Sequence, residues 1–383
     1  MTAVISGAGQ SRIGRRLGRS ALDLVVEAAQ AAIVDAGLTR DDIDGLSTYP
    51  GLQMWPPGFS DVGAQEVMTA LGLRLSWFSG GSEAAAQIGS VITAAHAVEA
   101  GAARHVLCFR VVTAGSRRRQ ADLPAPTHVS GVQQWTHTYG RSPANWIGAL
   151  AQRHFHEYGT TREQLGAIAL TDRRHAGLNP AAIYRDPLSM DDYLSSRMIS
   201  TPLTVLDCDV PVDGATAFIV SIGDAGADLR RPGVVIEAVG SAIHSAFSYD
   251  QFPDMQHLPA HDAARAMWSG TDASPADVDV ACVYDGMSWL AMIWLEALGF
   301  CGPGESGAYV EGGARIALDG ELPFNPHGGQ LSAGRLHGYG FLHEAYVQLR
   351  GEGGERQVAG DPQLAVVSTG GGPFAGCMLL RSA

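Results

Sequence analysis

The stretch Asn325-Pro-His-Gly-Gly-Gln-Leu-Ser-Ala-Gly-Arg-Leu-His337-Gly-Tyr-Gly-Phe-Leu-His-Glu344 gathers the residue types that acyl chemistry uses. Gly328 and Gly329 let the backbone turn sharply and approach a ligand closely. His337 stands just ahead of Phe341, Leu342, Ala345 and Leu349, whose helical spacing puts the imidazole at a helix start. Unpaired N–H groups and the positive dipole end there suit a developing oxyanion, so His337 reads as an oxyanion donor or a base. Tyr284-Asp285-Gly286 closes a strand-like run. It offers a phenol for proton transfer and a carboxylate that orients a neighbour or caps a turn. Asn325 either holds a water or pins the turn before Pro326. Gly370-Gly371-Gly372 forms either a backbone nest for a carbonyl oxygen or a tight turn between strands. Gly80-Gly81-Ser82-Glu83-Ala84 is similar to a nucleophile elbow, which keeps a hydrolase built on Ser82, His337 and an acid in play. Gly7-Ala-Gly9 is a weak match to a dinucleotide loop, because no helix opens directly on it.

These residues hang on a duplicated frame. Residues 28–51 and 263–286 align without a gap. Ala28, Ala29, Ala31, Asp42, Asp44, Tyr49 and Gly51 match Ala263, Ala264, Ala266, Asp277, Asp279, Tyr284 and Gly286. Each segment predicts a helix, a Thr- or Ser-led cap with an Asp-rich turn, then a strand. Further on, a helix over Ala84–Val98 and a strand over His105–Val112 correspond to the helix after His337 and a strand over Leu364–Val367. The repeat predicts two copies of one α/β unit whose glycine-opened helices meet at the centre. The halves are expected at 1–225 and 226–383. Residues 114–205 interrupt the first half as an inserted region of mixed helix and coil.

Composition narrows the chemistry. The chain has 383 residues, 46% apolar and only 17% charged, which affords a large core and opposes disorder. A net charge of −13 opposes nucleic-acid binding through a broad basic face. Cys108, Cys208, Cys282, Cys301 and Cys377 are scattered, with no metal-ligand spacing, and are expected to be reduced packing residues. No apolar run reaches bilayer length, so a cytoplasmic protein without a membrane span is expected.

The chain resembles the thiolase superfamily, specifically the lipid-transfer-protein or sterol-carrier-protein-X type thiolases. The resemblance rests on the duplication, Asp207-Cys-Asp209 with Asp213-Gly-Ala-Thr-Ala, Tyr284-Asp-Gly-Met, Asn325-Pro-x-Gly-Gly, His337-Gly and Gly370-Gly-Gly. It implies an α/β thiolase fold, duplicated and five-layered (αβαβα), with two mixed sheets around central helices, and a homodimer. A thiolase carries its acyl group on a cysteine, here near Ser82–Ala84, and moves a proton with a second, here near Ser368. Neither position is cysteine. A retro-aldol cleavage needs no such carrier, only a base, an oxyanion hole and an acid. The resemblance therefore extends to the steroid side-chain aldolases, which lack these cysteines, carry tyrosine at the position of Tyr284 and work with a small OB-fold acyl-CoA-associated protein. Where they carry a second tyrosine, this chain has Arg335, expected to hold Tyr284 as phenolate or to bind a substrate carboxylate or phosphate.

The implied function is an acyl-CoA carbon–carbon lyase acting on a bulky hydrophobic β-hydroxyacyl-CoA. A thiolase-type acyltransferase and a non-catalytic acyl-CoA-binding subunit are the alternatives. The expected catalytic set is Tyr284 (taking the β-hydroxyl proton), His337, Asp285, Arg335 and Asn325. Substrate contacts are expected from Gly81, Ser82, Gly329 and Gly371, with Arg117 and Arg118 either gripping coenzyme A phosphates or forming a solvated charge run. No metal and no cofactor beyond the substrate's coenzyme A is expected.

Overall fold

The computed structural model describes residues 2–48, 61–80, 86–116, 142–223, 229–244, 252 and 254–383. Each half opens with a helix laid closely on glycines. The Ala21–Ala36 helix starts at Ser20, whose hydroxyl accepts from Asp23 N, and stops at Gly37, which takes φ 78°. Its small face, including Ala28, Ala29 and Ala32, packs on strand β1 (Ala3–Gln10). A side chain at Gly9 would run into the Ala28 carbonyl. In the second half the Pro259–Trp268 helix buries Ala260, Ala263 and Ala264, and a side chain at Gly240 would run into the Ala263 carbonyl. Gly7 and Gly9 thus serve helix–strand contact, not a dinucleotide.

The paired aspartates recur with the same bonds. Asp42 accepts from Thr39 N at 2.8 Å and its Oγ1 at 2.7 Å, and Asp277 accepts from Ser274 N at 2.8 Å and its Oγ at 2.7 Å. Asp44 then accepts from Arg104 N and His105 N, and Asp279 from Gln363 N and Leu364 N. Each second aspartate so ties its own strand, β2 (Gly45–Thr48) or β9 (Val280–Cys282), to the start of the next one inward.

The remaining strands are β3 (Trp77–Gly80), β4 (His105–Thr113), β5 (Met198–Ser200), β6 (Leu203–Thr204), β7 (Asp213–Ile222), β8 (Val234–Ile243), β10 (Leu364–Gly370) and β11 (Phe374–Arg381). Among the described residues nine strands form one mixed sheet, ordered β3-β2-β4-β7-β1-β8-β11-β10-β9. The order β1-β7-β4-β2 of one half repeats as β8-β11-β10-β9 in the other, with the same senses: antiparallel, antiparallel, parallel. The expected two mixed sheets are continuous here, joined edge to edge where Val4 faces Val235 and Ile5 faces Val234.

The central Gly89–Glu99 and Gly338–Leu349 helices are buried on nearly every side. The Ser90 hydroxyl and Tyr339 phenol join them at 2.6 Å. Among the described residues the inserted region contributes three helices, Pro143–Tyr158, Arg162–Gly177 and Met190–Ser195, and the β5–β6 pair. No described helix is long and apolar enough to cross a membrane.

Candidate active site

The site lies beyond the ends of β9 and β10, where the start of the Gly338–Leu349 helix meets the Ala86–Ile88 turn of the other half. Gly286 makes room for the Tyr284 ring, since a side chain there would meet ring atom Cε1 at 2.8 Å. Tyr284 is 8% exposed, and its backbone N–H donates to Ser368 Oγ at 3.0 Å. That bond occupies Ser368, near which the resemblance placed the second cysteine of a thiolase.

Two buried glutamines set the geometry between phenol and imidazole. Gln87 Oε1 accepts from Gly338 N at 3.1 Å, while its Nε2 donates to the Tyr284 hydroxyl at 3.2 Å. Gln330 Oε1 accepts from His337 N at 3.0 Å. Its amide lies near enough to favour the ionised phenol, without a hydrogen bond of ordinary geometry to it. The two backbone N–H groups at this helix start are therefore capped by glutamine carbonyls, not presented to an anion. One glutamine's length separates Tyr284 from the His337–Gly338 step, so the two residues share one site.

His337 is held at φ 55°, an unfavourable backbone region for a residue with a side chain, and is 3% exposed. Arg110, buried within β4, directs Nε (3.2 Å) and Nη2 (2.8 Å) at His337 Nδ1. A guanidinium only donates, so Nδ1 must be the acceptor and Nε2 carries the proton. Burial, then the charges of Arg110 and Arg335, hold the imidazole well below its usual range. His337 is thus a neutral N–H donor in this site.

Tyr284 departs from expectation. Burial, and next the negative charge of Asp209, push its phenol up to about 12, against the opposing influence of Gln87, Gln330 and Arg335. The phenolate that Arg335 was expected to sustain is disfavoured, and so is Tyr284 as the base. Arg335 instead pairs with Asp209, Nη1 lying 3.1 Å from Oδ1. Asn325 also differs. Its Oδ1 accepts from Val283 N at 2.8 Å and its Nδ2 donates to Val283 O at 3.0 Å, so it pins the end of β9.

Asp285 is fully buried and accepts from Gln330 N (2.9 Å) and Leu331 N (3.4 Å). It both caps the turn after Gly328 and sets Gln330 against His337. Asp172, from the inserted Arg162–Gly177 helix, meets Asp285 in the same pocket. Burial drives both carboxyls upward, and one proton shared between them relieves the repulsion. Gly329 (φ 57°) is obligatory because a side chain there would fall on the Asp285 carboxylate, and Gly328 closes on Ala176. The space expected for a ligand at these glycines is filled by protein. The Gly371 N–H is also engaged, donating to Phe374 O at 3.2 Å, and the residue backs onto Trp294. It makes the tight turn and not an anion nest.

Gly81, Ser82, Arg117 and Arg118 lie outside the described residues, as does Tyr49. Burial raises the pKa of all five cysteines, Cys208 and Cys301 to about 12. None is poised as a thiolate. Sequence reasoning missed Gln87, Gln330, Arg110, Asp172 and Asp209. Two carried a signal, Arg110 as a lone cation in the apolar run His105–Val112 and Asp209 as part of the Asp207-Cys-Asp209 motif.

The duplicated α/β frame, with its two central helices packed together where the halves meet, is a thiolase architecture. The chain belongs to the thiolase superfamily: residues 241–379 match the family "Thiolase C-terminal domain-like", and full-length relatives exceed 30% identity. It is 35% identical, over 98% of both chains, to the 17-hydroxy-3-oxo-4-pregnene-20-carboxyl-CoA lyase of Mycobacterium tuberculosis. Against the steroid side-chain-cleaving aldolase of Thermomonospora curvata it is 34% identical over 98% of this chain and 97% of that one. The Ltp2-ChsH2(DUF35) aldolase structure superimposes with a TM-score of 0.87 at 31% identity, covering 100% of this chain and 98% of the other.

Proposed function

We propose that this protein is an acyl-CoA carbon–carbon lyase that cleaves a bulky hydrophobic β-hydroxyacyl-CoA by a retro-aldol step. The observation that carries this reading is the Arg110–His337 contact. It fixes a neutral imidazole with its proton on Nε2, which suits hydrogen bonding to the enolate oxygen of a thioester. Similarity to a pregnene-carboxyl-CoA lyase and a steroid side-chain-cleaving aldolase over nearly the full chain supports the reaction class. The high pKa of every thiol opposes transfer through a cysteinyl thioester. Coenzyme A enters as part of the substrate, and the chemistry asks for no other cofactor.

The partner in solution is a DUF35-type protein, as in the aldolase complex that the chain resembles. Two copies of this chain pair through β3, which among the described residues bonds only to β2 within the sheet and exposes Phe78. The cytoplasm is the proposed compartment.

The test is incubation of the purified protein, with its partner, with a β-hydroxyacyl-CoA bearing a bulky tertiary carbinol. The expected products are one ketone and one shortened acyl-CoA in equal amounts. Acyl transfer to free coenzyme A without any ketone would replace this reading with the acyltransferase one.

A further inference from the structure

Three aspartates crowd the stretch 207–213, and two of them serve the backbone. Asp207 accepts from Thr204 N at 2.7 Å and from the Tyr193 hydroxyl at 2.8 Å. Asp213 accepts from Leu17 N and Ser116 N, each at 2.9 Å. Asp209 meets the Arg335 guanidinium instead, at 3.1 and 3.4 Å.

Its placement is fixed from both sides of the site. Asp209 N donates to Gly286 O at 3.3 Å, two residues beyond Tyr284. Val210 N donates to Gln330 O at 3.0 Å, and Arg335 N to Val210 O at 2.8 Å. Asp209 is thus laced between the Tyr284–Gly286 turn and the loop that leads to His337. Its side chain is 13% exposed, whereas Asp172 and Asp285 are sealed. It is the carboxylate of this site with surface for a substrate among the described residues.

Tyr284 is oriented for the complementary role. Its oxygen accepts from Gln87 Nε2, and that amide's orientation is fixed because its carbonyl end takes the Gly338 N–H. The hydroxyl proton must therefore point elsewhere.

The geometry points to Asp209 as the base that removes the β-hydroxyl proton, with Arg335 its counter-ion and Tyr284 the acid that protonates the enolate carbon. The inference rests on the retro-aldol reading above and assigns its proton path. The Asp209 carboxylate takes the hydroxyl proton, and the O–H electron pair becomes the new C=O bond. The Cα–Cβ bond breaks, and its pair passes into the thioester enolate, whose oxygen faces His337 Nε2–H. Tyr284 gives its proton to Cα. Protonated Asp209 then returns a proton to the phenolate, directly or through water, and both groups are restored. Arg335, its ion-pair partner at 3.1 Å, favours the ionised form of the base.

The charged and titratable groups facing Asp209 are Arg335 from the loop, Tyr284 and Asp285 from the turn after β9, and Cys208 beside it in sequence. Burial raises the Asp209 carboxyl and Arg335 draws it back. Removal of the guanidinium must therefore raise it further.

The experiment measures kcat and KM against pH for the holo-complex with a β-hydroxyacyl-CoA, for wild type, Asp209→Asn, Asp209→Glu and Arg335→Gln. Expected are a kcat loss of at least about 100-fold in Asp209→Asn with KM changed less than about threefold, and partial recovery in Asp209→Glu. In Arg335→Gln the acid limb of the profile moves to higher pH. An Asp209→Asn enzyme that turns over within about threefold of wild type, or an Arg335→Gln profile with an unmoved acid limb, overturns the assignment. Should Asp209→Asn fail to fold, judged by its thermal melt, the Arg335→Gln profile decides alone. A wild-type complex that forms no ketone sinks the lyase reading itself, a separate outcome from the failure of Asp209.

Discussion

The two halves agree at one end of their strands and differ at the other. At the starts of β2 and β9 the same capped turn recurs, and the same aspartate ties in β4 or β10. In that register Arg110 of β4 corresponds to Thr369 of β10. Arg110 crosses to the other half's imidazole, while Thr369 packs against Gly338. The second half supplies the phenol, the imidazole and Asp285. The first supplies Gln87 and Arg110, which orient them, the Asp209 carboxylate that meets Arg335, and through its inserted region Asp172. Duplication preserved the bonds that make the fold, and the chemical end diverged into reacting groups and their supports.

The largest effect should come from breaking that division. Arg110→Met removes the double donor to Nδ1 and leaves the His337 tautomer unspecified. Lyase kcat should fall on the order of 100-fold, the scale of a lost oxyanion donor. NMR titration should show the His337 imidazole moving up toward the ordinary histidine value, because a repelling cation is gone. An unchanged titration would mean that burial alone holds the imidazole neutral.

Next comes the shared scaffold. A methyl at Gly240 lands on the Ala263 carbonyl, and one at Gly9 lands on the Ala28 carbonyl. Either alanine forces a helix off its strand. Each variant should lose about 3 kcal/mol in chemical denaturation. Gly240→Ala should be the worse, because its overlap is the deeper. Equal losses would show that the first half yields no more readily than the second.

Local sequence carried the scaffold well. The Asp-x-Asp repeat, the alanine faces and the strand ends were legible because caps, turns and periodicity act within a few residues. His337 and Tyr284 were legible through the resemblance. Gln87 and Gln330 were not, because a glutamine has no distinguishing neighbourhood until the fold brings its partners to it, and the two ends of Gln87 meet residues 197 and 251 positions away. Asp172 was hidden for the same reason, lying in an insertion that reads as periphery. Gly329 and Gly371 were read as open to a ligand. A glycine reports that something comes close, and here it is the Asp285 carboxylate and the Trp294 ring. Arg335 was read against Tyr284 because Asp209, its actual partner, lies 126 residues earlier.

Smaller effects test how alike the matching ends are. Asp44→Ala and Asp279→Ala each strip a carboxylate from two backbone N–H groups at a strand start. Each should cost about 1 kcal/mol of stability. Near-equal values would show that the two ties are energetically, as well as geometrically, repeated.

The smallest effect belongs to the exposed caps and is read through pH. Hydrogen bonds from Thr39 depress the Asp42 carboxyl, and hydrogen bonds from Ser274 depress that of Asp277. A carboxyl lower in the folded than in the unfolded state adds stability above its unfolded value, near about 4. That contribution disappears as pH falls through the folded value. The deficit of Asp42→Asn or Asp277→Asn relative to wild type should therefore be constant near neutrality, shrink through the acid range and vanish below it. Denaturation midpoints between neutral and strongly acidic pH would measure it. A deficit that persisted at the acid end would assign these caps to the Thr39 and Ser274 hydroxyls, independent of carboxylate charge, in both halves alike.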